Sequence, residues 1–228
     1  MGLPKMPILG NPMIQQVQLG TARTRSMMNH EQALPAENQW DLLVEYGHGL
    51  QLGFHALWVE SDDPDELSRR FRVDSDSRLE CDLQTLAGTY KGPPEKAIWI
   101  GPHAPGWTHV FIFGMRSSHP AIPNLGKRRV FQIKFVGEVG EGISPLYMYY
   151  DGEPAGDVTP PHEQGGYMSL PDYRPYTQGL ELGYDSDLEW EVHLMLCMMG
   201  RITGRFADRD WWMATRTFYR VPDRSWET

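Results

Sequence analysis

His103 and His109 flank Pro102-His103-Ala104-Pro105-Gly106, a segment with the composition of a turn between two apolar runs. Folding back there would bring the two imidazoles together, and a pair of imidazoles is the start of a zinc or non-haem iron site. Such a site needs a third ligand. His48 and His55 could supply it only if their segment adjoins the hairpin. The eight histidines match no metal-binding spacing. Exposed or hydrogen-bonded rings are the plainer reading, and no metal or cofactor is expected.

Three further groups could carry acid–base work. Asp151, Glu153 and Asp157 make an acidic hairpin, where desolvation beside apolar neighbours could tune a carboxyl. Turn chemistry explains Asp151 more simply. His193 sits beside the apolar stripe of a helix, placed either to line a cleft between helix and sheet or to meet a backbone partner at the core edge. No Ser or Cys has a nucleophile elbow around it, and neither a phosphate-cradling Gly-rich loop nor a dinucleotide fingerprint is present. His103, His109, Asp151 and His193 are therefore the catalytic candidates.

The aromatic residues point to binding. Tyr and Trp supply large contact area with few rotatable bonds, so they suit surfaces that grip a partner or an apolar ligand. Trp107 and the loop residues Tyr167, Tyr173, Tyr176 and Tyr184 are the candidates, with ordinary packing as the alternative for each.

These residues need elements to position them. Leu188, Val192, Met195, Leu196 and Met199 recur at helical spacing. Ser186 and Glu189 have the spacing of a capping box, and Gly200 fits a stop, which predicts a helix over 186–199. Leu50, Leu52, Phe54, Ala56 and Trp58 alternate as in a strand with one buried face. Asp63-Pro64-Asp65-Glu66 reads as a cap and first turn leading into Leu67 and Phe71. Further strands are expected over 97–101, 107–114, 130–136 and 146–150. Asp151-Gly152 should turn the last of these back into 155–159. A short helix is expected after Pro35, ending at Gly47, and residues 208–222 fit either a short helix or a final strand.

Strands that cluster between helices predict an α+β fold, mainly an antiparallel sheet with the long C-terminal helix packed on one face. Residues 1–35 mix Gly, Pro, Met, Gln and Thr without periodicity and read as a flexible arm. Residues 36–228 read as a single domain, with a Tyr-, Pro- and Gly-rich insertion at 159–185. Connections that long generally bind something or are disordered, and the tyrosines argue for the former.

A net charge of −9 opposes binding to a nucleic-acid backbone, which needs clustered Lys and Arg. The longest apolar run is far short of the roughly 18 residues that suggest a membrane span. The N-terminus lacks the apolar stretch of a secretory signal, and two cysteines fit free thiols, so a cytoplasmic setting is expected.

The order of a strand, Asp63-Pro64-Asp65-Glu66-Leu67 opening a helix, Gly106-Trp107-Thr108 at a strand start, Asp151-Gly152 after an aromatic strand, and Arg201-Ile202-Thr203-Gly204 after an apolar helix resembles a group of actinobacterial domains of unknown function. The resemblance spans roughly Leu50 to Trp212. It implies a single α+β domain in an actinobacterial cytoplasm and carries no catalytic residue with it. The function expected is a small-ligand or protein-binding module of sensor or immunity type. The alternative is a cofactor-independent tailoring enzyme with its pocket between helix and sheet.

Overall fold

The structure, a computed structural model, describes residues 33–92, 96–114, 120–137, 142–161, 168–183, 186–223 and 225. Its centre is a fully antiparallel sheet in the order β2-β9-β3-β4-β1-β5-β7-β8, with the two-residue β6 (Gly142–Ile143) pairing β5. The strands are β1 (Gly53–Val59), β2 (Leu79–Cys81), β3 (Ala97–Ala104), β4 (Trp107–Phe113), β5 (Arg129–Val136), β7 (Tyr147–Tyr150), β8 (Glu153–Asp157) and β9 (Arg216–Arg220). The edges resist further pairing: β2 has three residues and β8 carries Pro154.

β1 lies between β4 and β5 and is buried on both faces, not one as its alternation suggests. Phe54, Ala56 and Trp58 join Trp99, Phe111, Phe131, Ile133, Phe135 and Phe218 on the first face. There they meet α1 (Gln39–Tyr46), α3 (Leu83–Thr89), α4 (Leu188–Thr203) and α5 (Arg209–Trp212). Leu57 and Val59 join Ile98, Ile100, Val110, Ile112 and Val130 on the second face, covered by Leu67 of α2 (Pro64–Arg70), by Phe71 at its C-cap and by Ile122 and Leu125. The strand begins at Gly53; Leu50–Leu52 form a 3-10 turn that leaves Leu52 exposed.

The α+β architecture thus places the long helix on one face of the sheet. That helix starts and stops later than the capping-box spacing indicates. Asp187, not Ser186, accepts the Trp190 N–H, and the helix runs through Gly200 to Gly204, whose φ of 81° ends it in the left-handed region. Gly200 is required by packing instead: a Cβ there would lie 2.1 Å from the Phe206 ring.

α2 matches its sequence signals, with Asp63 accepting the Glu66 N–H and Pro64 in the first turn. The hairpin of β3 and β4 turns at Pro105-Gly106, so β3 extends past Gly101 to include His103. Residues 208–222 hold both expected alternatives in succession, α5 then β9. Within the 159–185 stretch, residues 162–167 and 184–185 lie outside the described residues; of the rest, Pro171–Thr177 form a 3-10 helix, and Leu180 and Leu182 are buried. Most of the N-terminal arm lies outside the described residues, but the Ala33 carbonyl accepts the Arg201 Nε–H at 2.8 Å, so contact with the domain begins by residue 33.

Candidate functional site

The β3–β4 hairpin brings His103 and His109 together as its turn composition implies, with ring centroids 6.4 Å apart. Strand alternation puts both side chains, with Trp99 and Phe111, on the α4–α5 face. Neither ring reaches solvent: His103 is 2% exposed and His109 fully buried. His109 packs against Trp58, Phe111 and Trp211 at 4.8, 4.4 and 4.8 Å. Burial, assisted by the Arg216 charge, pushes the His103 pKa down to about 3 and that of His109 well below the ordinary value. Both are neutral at physiological pH.

Tautomers follow from the hydrogen bonds. The Thr203 hydroxyl donates to the Met199 carbonyl at 2.7 Å, so towards His103 Nε2, 2.8 Å away, it acts as acceptor. His103 Nδ1 is then left with a lone pair. Among the described residues no third metal ligand joins them. His55 points to the opposite face of the sheet, where its Nε2 meets Gln132, which in turn accepts from Tyr149. Among the described residues no group of three or more His, Cys, Asp or Glu is arranged to hold a metal ion.

What does join the histidines is Arg216 of β9, which the sequence reading did not single out. Its guanidinium carbon lies 4.0 Å from the Trp211 ring centroid and 4.5 Å from that of Trp99. Gly101 makes the passage possible, because a Cβ there would fall 2.6 Å from Arg216 Cγ. Nη2 donates to the Trp211 carbonyl at 3.3 Å, while Nε and Nη1 have no acceptor among the described residues. Both nitrogens of His109, Nδ1 of His103 and the indole N–H groups of Trp58, Trp211 and Trp212 are likewise buried without partners among those residues. An unsatisfied buried polar group costs about 1–3 kcal/mol. Several in one cluster rival the whole folding margin of about 5–15 kcal/mol.

The remaining catalytic candidates stand apart. Asp151, with φ of 52°, and Gly152, with φ of 81°, form the β7–β8 turn, and Asp151 is exposed. Turn geometry accounts for its identity. Asp157 accepts the Thr159 N–H at 2.7 Å, which orders the strand exit. His193 Nδ1 accepts the Gln39 backbone N–H at 3.0 Å, the core-edge backbone contact that was the plainer reading. Its Nε2 lies 3.5 Å from Cys197 Sγ, but burial pushes that thiol up to about 12, so the pair supplies no thiolate nucleophile.

Of the binding candidates, Trp107 is buried against Phe131, with the Arg129 guanidinium 5.2 Å from its ring. Tyr173 is 9% exposed, packs on Phe131 at 5.5 Å and donates to Met148 Sδ at 3.1 Å. It is a core residue, which corrects its expected place on a recognition surface. Tyr176 is partly buried against the same core. Tyr167 and Tyr184 lie outside the described residues.

Two open concavities lie elsewhere, a charged one of about 210 Å³ lined by Asp74, Lys96, Arg220 and Asp223, and an apolar one between the end of α1 and α3. The apolar one measures about 240 Å³ and is lined by the turn from Gly47 to Leu50 with Leu83, Leu86, Ala87, Tyr90 and Phe113. Its wall is internally bonded: Gly47 N–H donates to Leu43 O at 2.8 Å, Leu50 N–H to Gly47 O at 3.1 Å, and Leu52 N–H to Gly49 O at 3.0 Å. His48 takes φ of 47°, which costs a non-glycine residue energy that surrounding structure must offset, and Gly49 takes φ of 106°, which glycine adopts freely. The triplet Gly47-His48-Gly49 was the available sequence signal, hidden because it reads as a plain helix stop.

Family models, curated proteins and solved structures yield no match to this chain.

Proposed function

We propose that the chain is a small-ligand-binding protein of sensor type, whose ligand is a small, largely apolar ring or short chain seated between the Gly47-His48-Gly49 turn and α3. The observation that carries this reading is the concavity itself. Leu50, Leu83, Leu86, Tyr90 and Phe113 give it apolar walls, and exposed His48 gives it one polar group at the rim. Pockets of this makeup, apolar with few polar groups, are the usual form of small-molecule sites. Its volume exceeds the roughly 150 Å³ that accommodates a benzene ring and falls short of drug-sized pockets.

Binding is favoured over catalysis because the acid–base candidates are occupied otherwise. His103 and His109 are ring-packed in the interior, His193 holds a backbone N–H, and Asp151 shapes a turn. Two buried free thiols, Cys81 and Cys197, fit a reducing cytoplasm, where we place this function. No helix among the described residues is long and apolar enough to cross a membrane.

Titration calorimetry with indole tests the reading. Ala87 is exposed on α3 and borders the concavity, so Ala87→Trp fills the space without touching the core. The parent binds indole, and the variant loses at least tenfold in affinity with an unchanged melting temperature. Equal affinity in both proteins, or none in the parent up to the solubility limit of indole, would overturn the proposal.

A further inference from the structure

We infer that a monatomic halide-type anion resides in the core beside Arg216, at a site separate from the apolar concavity. The first ground is an uncompensated charge. Arg216 is 2% exposed, and among the described residues no carboxylate pairs with it. The charged group that acts on it is another cation, Arg205, whose own Nη1 donates to the His103 carbonyl at 3.1 Å. The rings of Trp99 and Trp211 lie 4.5 and 4.0 Å from the guanidinium carbon, which stabilises the charge but leaves Nε and Nη1 without an acceptor among the described residues.

The second ground is the imbalance of donors and acceptors around it. Arg216 Nε and Nη1 and the indole nitrogen of Trp211, whose ring lies 4.0 Å from the guanidinium carbon, are donors only. Neutral His109 adds one donor and one lone pair, and the tautomer set by Thr203 leaves His103 Nδ1 with a lone pair. Donors outnumber acceptors, and the net charge is positive. A species that only accepts hydrogen bonds and carries negative charge answers both deficits. Water answers the first in part and the second not at all. The surroundings of the guanidinium are aromatic, Trp99 and Trp211 lying directly against it, and such an apolar setting favours a small, weakly hydrated anion over a large, strongly hydrated one such as phosphate.

Crystals of the full chain grown with sodium bromide as the halide, measured at the bromine absorption edge, test the site directly. An anomalous peak within hydrogen-bonding distance of Arg216 Nε or Nη1 is the expected result. Bromide at the surface only, ordered water without anomalous signal, or a closed core with the N–H groups resting on ring faces would each overturn the proposal. In solution, replacing sodium glutamate by sodium bromide at constant ionic strength raises the melting temperature of the parent to a plateau. Arg216→Met abolishes that rise; the same rise in both proteins would contradict a site at Arg216. Should Arg216→Met not fold, the diffraction result decides alone.

Discussion

His193 Nδ1 accepts the backbone N–H of Gln39 at 3.0 Å, joining residues 154 positions apart. Gln39 opens α1, and Asn38 caps only the next two amides, those of Trp40 and Asp41. The long C-terminal helix thus completes the cap of the N-terminal one. His193→Phe leaves a buried N–H without an acceptor, and should lower stability by about 1–3 kcal/mol in urea unfolding. His193→Gln, which retains an acceptor, should lose less. Equal losses in the two variants would show that packing, not the cap, holds the helices together.

Gly200 separates two physical effects of opposite sign. Helix propensity alone makes Gly200→Ala stabilising by about 1 kcal/mol. The 2.1 Å approach of its Cβ to the Phe206 ring makes it destabilising, by about 1–3 kcal/mol for overpacking of this kind. The second effect should win, and Phe206→Ala in the same chain should recover much of the loss in a double-mutant cycle. A more stable single variant would contradict the packing of α4 on the chain that follows it.

Acid should unfold this protein early. Burial lowers the pKa of His55 to about 4 and of His103 to about 3, and holds His109 well below its ordinary 6.5. Unfolded, each ring takes a proton below 6.5, so between 6.5 and those lower values the unfolded state binds more protons. Stability is then full above 6.5 and falls with falling pH. At pH 5 the loss is about 2 kcal/mol for each of His55 and His103, with His109 adding in the same direction, a large part of the margin of about 5–15 kcal/mol. Denaturant midpoints measured from pH 7.5 to 4.5 check this; a flat profile down to pH 5 would show that these histidines are not buried.

Tyr173 should behave as a core residue. Tyr173→Ala removes a ring packed on Phe131 and is expected to cost about 3–5 kcal/mol. Tyr173→Phe keeps the packed ring and loses the hydroxyl's contacts to Met148 Sδ and the Arg129 side chain, and should cost less, about 1–2 kcal/mol. Thermal melts of the two variants that coincide with the parent would return Tyr173 to the surface.

The parts of this fold legible in the sequence are those fixed by local chemistry. Asp63 and Pro64 start α2 through their own backbone preferences, and Asp151-Gly152 turns β7 into β8 because both residues accept positive φ. Periodicity likewise exposed α4 and the alternation of β5. It failed where tertiary packing overrode local signals. Gly200 reads as a stop, but the ring of Phe206 fills the space beside it, and Ser186 yields the cap to Asp187. The second buried face of β1 was hidden because His55 and Gln132 satisfy each other inside the core and look polar in the sequence. Of the candidate site, the pairing of His103 with His109 was visible from the hairpin. Arg216 was not, since only the three-dimensional approach over Gly101 takes a cationic strand residue into the interior.

The central claim is that the concavity between the Gly47-His48-Gly49 turn and α3 binds a small apolar ligand. Amide chemical shifts of the isotopically labelled full chain, followed by NMR as indole is added, test it most directly. The account predicts saturable shifts concentrated in residues 47–53 and 83–90, with the amides around His103, His109 and Tyr173 unmoved. Shifts centred on those buried residues or on the exposed β7–β8 turn, or no saturable shift at all, would contradict it.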